Sequence, residues 1–208
     1  MTDKREIFTM EQGSKEWLNA RLGVVTASCF GKVLNSGKGR GVYMKDLADE
    51  KRYGEQVDSY SCKAMDDGHI YESYARQYYE AKFDVKVQQV GFILWGHLGC
   101  SPDGLIGDDG GLEIKCSQGK SHREILKRQK MPTTHIPQVQ SSMWISHRKW
   151  WDFVSYSPWE EEEDPFFCQR ILRNDNYINN ILKPASDRFL QDFHDLIEIN
   201  DINQKIIK

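Results

Sequence analysis

The chain has 208 residues and a mass of 24.2 kDa, which is about the length of one domain, so we expect residues 1–208 to form a single domain. Hydrophobic residues make up 39% of the chain and charged residues 28%, a composition typical of a water-soluble globular protein. The net charge of −3 argues against a histone-like protein that binds nucleic acid through a broadly basic surface. It does not exclude an enzyme acting on nucleic acid, because acidic metal ligands would offset basic residues in the sum.

The cysteine pattern and the absence of long apolar runs predict a cytoplasmic protein without a membrane partner. No run approaches the roughly 18 apolar residues of a membrane span, and the polar N-terminal segment has no signal-peptide core. The five cysteines are odd in number and form no CxxC pair, so a disulfide framework or a cysteine zinc site fits poorly.

The first half of the chain is predicted to be mainly helical. Ser14 is a candidate N-cap for a helix that closes at Gly23, and residues 26–34 predict another short helix. Residues 35–41 (NSGKGRG) predict a flexible basic loop, which lacks the spacing of a phosphate-binding P-loop. Residues 63–82 predict a long helix with an apolar stripe, which consists of Ile70, Tyr71, Tyr74, Ala75, Tyr78 and Tyr79.

The second half alternates strand and helix signals. Strands are predicted at 85–95, just before the SPDG sequence at 101–104, at 112–116, at 149–157 and at 165–172. A tight hairpin is predicted at 108–111, and helices near 121–129, from Pro137 and from Asn174 onward. This order favours an α/β fold over α+β, with a central mixed β-sheet flanked by helices.

Charge is distributed unevenly along the chain. Residues 111–151 hold 8 basic and 2 acidic side chains, a net charge of +6, whereas residues 152–208 hold 6 and 12, a net charge of −6. Only the middle segment is suited to attract phosphates, although a solvated helix face would also account for its basic residues.

The most informative local pattern is Pro102-Asp103 followed, across the hairpin, by Glu113-Ile114-Lys115. Alternate residues of a strand point to the same face, so Glu113 and Lys115 should project together, with Asp103 at the end of the neighbouring strand. Two carboxylates suit a hard cation such as Mg²⁺, and a nearby ammonium group suits developing negative charge on a phosphate. The alternative is a surface hairpin with an incidental ion pair.

Three other sets of residues carry weaker signals. Glu72 adds a third carboxylate on the long helix, where an exposed helical glutamate is the alternative. Arg21, with Ser28 at the start of the next helix, could bind an anion, although helix capping also explains a serine there. Gln138 lies near another helix start and could equally be solvated.

Five motifs occur in order and together resemble the phage lambda exonuclease family (YqaJ-type viral recombinases), a branch of the PD-(D/E)xK nucleases. The motifs are W17-x3-R21-L-G-x2-T-A-S28, G68-x3-E72, C-S101-P-D103-G-L, G-L-E113-I-K115-C and Q138-V-Q140-x2-M-W144. The resemblance runs from about residue 12 to residue 158. It implies a PD-(D/E)xK restriction-endonuclease-like core in one exonuclease domain.

The resemblance also implies an activity and its residues. The activity is Mg²⁺-dependent digestion of one strand of duplex DNA in the 5′→3′ direction, with two ions expected and substitution by Mn²⁺ left open. Asp103, Glu113 and the Ile114 carbonyl would be metal ligands, and Lys115 the catalytic lysine. Glu72 would act near the second ion, either directly or through water.

Other implied features concern the DNA end and the assembly. Arg21, Ser28, Ser101 and Gln138 match the family's 5′-phosphate pocket, and Met65 is the candidate wedge that splits the terminal base pair. Family members resemble homotrimeric rings that act with a phage single-strand annealing protein in recombination, which implies a phage- or prophage-encoded protein in the bacterial cytoplasm. Two alternatives stay open: a restriction- or repair-type endonuclease of the same superfamily, and a non-catalytic DNA-end-binding adaptor.

Overall fold

The structure is a computed structural model that describes residues 4–57, 63–116, 119–158 and 165–207, with the backbone alone described for 63–70 and 200–207. The strands are β1 (Glu6–Phe8), β2 (Val25–Thr26), β3 (Val87–Gln88), β4 (Phe92–Trp95), β5 (Leu98–Cys100), β6 (Gly104–Ile106), β7 (Gly110–Cys116), β8 (Trp150–Tyr156) and β9 (Phe166–Leu172). The α-helices are α1 (Lys15–Ala20), α2 (Phe30–Val33), α3 (Lys38–Tyr53), α4 (Lys63–Phe83), α5 (Lys120–Arg128), α6 (Ile136–Ser146), α7 (Asp175–Tyr177) and α8 (Lys183–Ile207). Short 3₁₀ turns at Ala27–Cys29 and Thr133–His135 precede α2 and α6, and a π-helical turn at Ile178–Leu182 joins α7 to α8.

The described strands form two sheets rather than the one central sheet that the sequence predicts. A four-stranded sheet has the order β1-β4-β5-β2, and a five-stranded sheet has the order β3-β6-β7-β8-β9. The predicted strand at 85–95 divides between them, because β3 pairs with β6 whereas β4 pairs with β1. The Gly91 N–H, just before β4, donates to the Phe8 carbonyl at 2.8 Å and so fixes this change of partner.

The five-stranded sheet places β7 at its centre, between β6 and β8. β7 is antiparallel to β6 and parallel to β8, with Glu113 opposite Phe153. Gly111 lies so close to the Trp151 ring that an added Cβ would come within 2.2 Å of it, which explains why the hairpin enters this strand on glycines. A strand that is buried and paired on both sides gives Glu113 and Lys115 little freedom to move.

Helices cover the sheets and bury two apolar clusters. The larger cluster joins α3, α6 and α8 to the strands through fully buried rings such as Phe153, Phe189 and Phe193. The smaller lies between α4 and the five-stranded sheet and includes Ala75, Tyr79 and Ile114. Of the predicted stripe on α4, Ala75 and Tyr79 are buried, whereas Tyr74 and Tyr78 are exposed. Truncating one of the buried rings to alanine would cost about 3–5 kcal/mol.

The predicted flexible loop at 35–41 is wrong for its second half. Helix α3 begins at Lys38 and includes Gly39 and Gly41. Each glycine costs a helix roughly 1 kcal/mol relative to alanine. Burial of Tyr43 and Leu47 against the core offsets this cost, since the Tyr43 ring lies 5.7 Å from that of Phe189. Packing with distant residues thus overrides the local glycine signal.

Most other elements agree with their predicted positions. The Ser14 hydroxyl accepts from Trp17 N–H as the N-cap of α1, the helix predicted at 63–82 is α4, and Pro137 lies in the first turn of α6. Strand β1 was not predicted, because its three residues carry too short a pattern. Among the described residues, none of the helices combines the length and the apolar character that a membrane span requires.

Candidate active site

Strand β7 presents Glu113 and Lys115 together, as its alternation predicts. The Lys115 Nζ lies 2.6 Å from Glu113 Oε1. The Glu113 side chain is only 3% exposed, whereas that of Lys115 is 36% exposed, so the lysine head reaches solvent from a buried acid. A buried carboxylate needs such partners to remain ionised.

Asp103 lies in the turn between β5 and β6 and joins this pair. Its Oδ2 accepts a hydrogen bond of 2.5 Å from the Ile114 N–H, and its own N–H donates to the Leu112 carbonyl at 3.1 Å. These two bonds attach the turn to β7 at the level of Glu113. The sequence expectation that Asp103 lies beside Glu113 and Lys115 matches this arrangement, while the role of the Ile114 carbonyl as a ligand stays a prediction.

Glu72, on α4, reaches the same cluster. Its carboxyl hydrogen-bonds with that of Asp103. Arg76, one helical turn later, donates from Nη2 to Glu72 Oε1 at 3.2 Å and from Nε to the Asp103 carbonyl at 2.9 Å. Arg76 therefore holds both acids in place, and sequence reasoning missed it. Its i,i+4 spacing from Glu72 was the available signal.

The three carboxyl groups oppose one another's ionisation. Burial, and then the Glu72 charge, raises the pKa of Asp103 from 3.8 to about 8. Burial also raises the pKa of Glu113 from 4.5 to about 7, although Lys115 acts against this rise, and burial raises the pKa of Glu72. The neighbouring acids raise the pKa of Lys115, so its ammonium form is favoured. Without a bound cation, part of this cluster therefore stays protonated near neutral pH, beside the ammonium of Lys115 and the guanidinium of Arg76.

The donor atoms suit a hard divalent cation, although they are not yet gathered around one. Within the described residues, no group of three His, Cys, Asp or Glu side chains already surrounds a common point. Glu113 Oε1 instead accepts from both Lys115 and Gln138. Carboxylate oxygens are nevertheless the ligands that Mg²⁺ prefers, and a bound cation would offset the repulsion between the ionised acids.

The four residues predicted to bind the 5′-phosphate take part in three separate contacts. Arg21 Nη1 donates to Ser101 Oγ at 3.0 Å, which brings α1 to the end of β5. Gln138, at the start of α6, donates from Nε2 to Glu113 Oε1 at 2.5 Å. Ser28 Oγ lies 3.3 Å from Thr26 Oγ1, at the 3₁₀ turn before α2.

Trp17 supports Arg21 in a way that the sequence did not reveal. The Arg21 guanidinium lies 4.0 Å from the centre of the Trp17 ring, whose Nε1 donates to Ser101 Oγ at 2.9 Å. The Arg21 Nε is buried and, among the described residues, has no hydrogen-bond partner. Burial lowers the pKa of Arg21. A stacked guanidinium with an unused donor is suited to bind an anion.

Three cavities surround these residues. One of about 600 Å³ is lined by Glu72, Arg76 and Asp103, and one of about 440 Å³ is lined by Trp17, Arg21 and Thr26. A third, of about 800 Å³, opens beside Lys115. The predicted wedge, Met65, lies outside the described side chains.

Comparison with known proteins identifies the family. The model of the YqaJ-like viral recombinase domain matches residues 16–149. The chain belongs to this family. A comparison with curated protein sequences finds no match.

Solved structures agree with this assignment. The crystal structure of an alkaline exonuclease (LHK-Exo) from Laribacter hongkongensis has a TM-score of 0.88 and 34% identity, over 94% of this chain and 100% of that chain. A structure of LHK-Exo in complex with dAMP gives the same values. A phage related exonuclease from Haemophilus somnus 129PT, with 13% identity and a TM-score of 0.68 over 84% of this chain and 95% of its own, shows the likeness of fold alone. The predicted α/β fold of the PD-(D/E)xK type is confirmed, and the chain is a homologue of a nuclease.

Proposed function

We propose that the protein is a Mg²⁺-dependent exonuclease that digests one strand of linear duplex DNA from 5′ to 3′. It would leave a 3′ single-stranded overhang for phage-type recombination by single-strand annealing. The observation that carries the proposal is the contact of the buried Glu113 with Lys115, beside Asp103, in a chain of an exonuclease-containing family.

The chemistry follows from the groups of the cluster. Asp103 and Glu113 would hold the metal with the Ile114 carbonyl, and Glu72 would act near a second ion. When bound, Mg²⁺ would polarise the scissile phosphate and make a water more acidic. Lys115, kept as an ammonium by its acidic neighbours, would orient the attacking water or stabilise the negative charge that develops on the phosphate. Arg76 would hold the Glu72 carboxyl and the Asp103 backbone in their positions relative to each other.

The 5′→3′ direction would come from the residues around Arg21. Arg21, Ser28, Ser101 and Gln138 would bind the terminal 5′-phosphate, with Trp17 stacked against the guanidinium. Water attack breaks the bond between phosphorus and the 3′ oxygen of the terminal nucleotide, so the shortened strand keeps a 5′-phosphate. This new phosphate can occupy the same pocket and advance the duplex by one nucleotide.

End-labelled linear duplexes test the proposal. Duplexes with a 5′-phosphate or a 5′-hydroxyl are incubated with Mg²⁺, Mn²⁺ or EDTA, and the products are read for polarity and length. We expect mononucleotides released from phosphorylated 5′ ends, with no digestion in EDTA. Nicking of covalently closed circular duplex would indicate the endonuclease alternative. Binding of DNA ends without hydrolysis in any metal would indicate the adaptor.

The proposal also includes an assembly and a partner. A homotrimeric ring would enclose the duplex, and a phage single-strand annealing protein would receive the exposed strand. Measurement of the mass in solution tests the ring, and co-purification with an annealing protein encoded beside the gene tests the partner.

A further inference from the structure

The cavity of about 800 Å³ beside Lys115 is not explained by the metal cluster or by the 5′-phosphate residues. Its walls come from the end of β7, from α5 and from the segment leading to the 3₁₀ turn at Thr133–His135. Its lining includes Lys115 but none of Arg21, Ser28, Ser101 and Gln138. It therefore opens from the catalytic lysine, apart from the residues assigned to the 5′-phosphate.

The position along β7 indicates which part of a DNA strand could reach the cavity. The Gln138 amide and the Lys115 ammonium both contact Glu113 Oε1, but only Lys115 lines the cavity, which continues from the end of β7 to α5. If the terminal 5′-phosphate lies at Arg21 and the scissile phosphate at the carboxylate cluster, the chain of nucleotides continues past Lys115. The cavity offers a space beside Lys115 for the nucleotides that follow.

The lining has the chemistry of a nucleotide site. Arg128 and Lys130 are exposed, and within the described residues neither forms an ion pair, so their charges are available to phosphates. Glu124 is the one acidic residue of the lining, against three cations. Thr133 and Thr134 add hydroxyl groups for sugar or phosphate oxygens.

The base of the cavity is apolar and held in place. Ile125 and Met131 are each 5% exposed. The Met131 N–H donates to Gln169 Oε1 on β9 at 2.7 Å, which ties the segment carrying Lys130 to the sheet. The His135 ring lies 5.2 Å from that of Phe153, so the far wall is fixed as well. Arg128 and Lys130 are thus carried by a supported wall, with apolar surface for sugars and bases beneath them.

We propose that this cavity binds the nucleotides that follow the scissile phosphate in the strand being cut, with Arg128 and Lys130 on their phosphates. The assignment rests on the proposed function and adds to it a substrate site on the 3′ side of the scissile bond. The side chains there would hold the strand while the terminal nucleotide is removed.

The salt dependence of DNA binding tests the charges. Binding of a 5′-phosphorylated duplex is measured in EDTA, so that nothing is digested, for the wild type, Arg128→Ala, Lys130→Ala and the double variant. Each lost phosphate contact should lower the slope of log K against log [salt] by about 0.7–0.9. Lys127→Ala is the matched control, because Lys127 is exposed on the same helix but does not line the cavity.

Uncharged linkages locate the contact. Methylphosphonates placed at the linkages just 3′ of the scissile bond should weaken binding to the wild type and to Lys127→Ala, but should not weaken it further in the double variant. Equal loss in wild type and double variant would overturn the assignment. A double variant that unfolds at the same temperature as the wild type but has an unchanged salt slope would also overturn it.

Inhibition by deoxyadenosine monophosphate distinguishes a site for the DNA strand from a site for the released mononucleotide. A strand site predicts the same inhibition constant in the wild type and the double variant. A raised constant in the double variant, with unchanged sensitivity to methylphosphonates, would assign the cavity to the product and refute the proposal. A wild-type protein that does not digest linear duplex in Mg²⁺ would instead refute the proposed function. Normal 5′→3′ digestion by the wild type, with DNA binding unchanged in the Arg128 and Lys130 variants, would refute this assignment alone.

Discussion

The raised pKa values of the buried acids predict that the stabilising effect of Mg²⁺ depends on pH. In the folded protein the pKa of Asp103 is about 8 and that of Glu113 about 7, against 3.8 and 4.5 as the ordinary values. The folded state therefore holds protons that the unfolded state has already released. In the absence of metal, the contribution of these two protonated acids to the free energy of unfolding should be fully present below about pH 4. It should be lost progressively as the pH rises to about 8.

The magnitude follows from the size of the pKa changes. One pKa unit corresponds to about 1.4 kcal/mol, so ionising Asp103 in the folded state costs on the order of 6 kcal/mol and ionising Glu113 on the order of 3 kcal/mol. The two costs share their mutual repulsion and do not simply add. A bound divalent cation offsets them, because it interacts with the ionised carboxylates. For a chain of this size, about 6 kcal/mol corresponds to a change in Tm of about 12–24 °C.

Thermal unfolding measures this directly. The Tm is recorded at about pH 5 and about pH 8, in EDTA and in Mg²⁺, for the wild type and Asp103→Asn. We expect a larger rise in Tm on adding Mg²⁺ at the higher pH, and little rise at either pH in the variant. Asp109→Asn, at the exposed hairpin, is the control and should behave like the wild type. An increment that is equal at both pH values, or unchanged in Asp103→Asn, would refute the reasoning.

Substitutions at three positions test individual residues. Lys115→Ala should abolish digestion while DNA-end binding persists, as measured by hydrolysis and binding of the same labelled duplex, and near-normal turnover would contradict its catalytic role. Arg21→Ala should lose the preference for 5′-phosphorylated over 5′-hydroxyl ends in competition, and an unchanged ratio would refute the phosphate pocket. Arg76→Ala should raise the Mg²⁺ concentration at half-maximal rate about tenfold, since Glu72 and the Asp103 carbonyl lose a shared donor costing about 1–3 kcal/mol. Arg76→Lys should recover part of that loss, and weaker Mg²⁺ binding by calorimetry should accompany it.

The candidate catalytic cluster could be predicted from sequence because Glu113 and Lys115 are close neighbours in the chain. Glu113 and Lys115 share a face by strand alternation, and a unique Pro-Asp precedes them across a hairpin. The contact of Gln138 with Glu113 could not be predicted in this way, since 25 residues separate them and only the fold brings α6 to β7. The same holds for Trp17 and Ser101, where the indole has to reach across from α1.

Elements with a long hydrophobic pattern could be predicted from the sequence. Elements whose bounds or pairing depend on contacts with distant residues could not. Helix α4 and strands β7–β9 carry patterns of several residues, which packing then preserves. The start of α3 and the division of 85–95 between two sheets depend on distant partners. Local patterns contain no information about such partners.

The negative net charge now has a structural interpretation. Among the described residues, Arg170 is paired with Asp152, Arg173 with Asp175 and Arg40 with Asp192, so several cations are already neutralised within the protein. Within the part of the chain that the structure describes, Arg128 and Lys130 form no such pair, and both line one cavity beside the candidate active site.

Few phosphate contacts contribute little electrostatic binding energy. A nuclease with a net charge of −3 would need another means to stay on its substrate through many cleavage steps. An enclosing ring provides it, since topology retains the duplex while weak contacts let it slide. We therefore expect digestion to remain processive at salt concentrations that greatly weaken equilibrium binding, and the mass in solution to be that of a trimer. A strictly monomeric protein that digests processively would refute the ring.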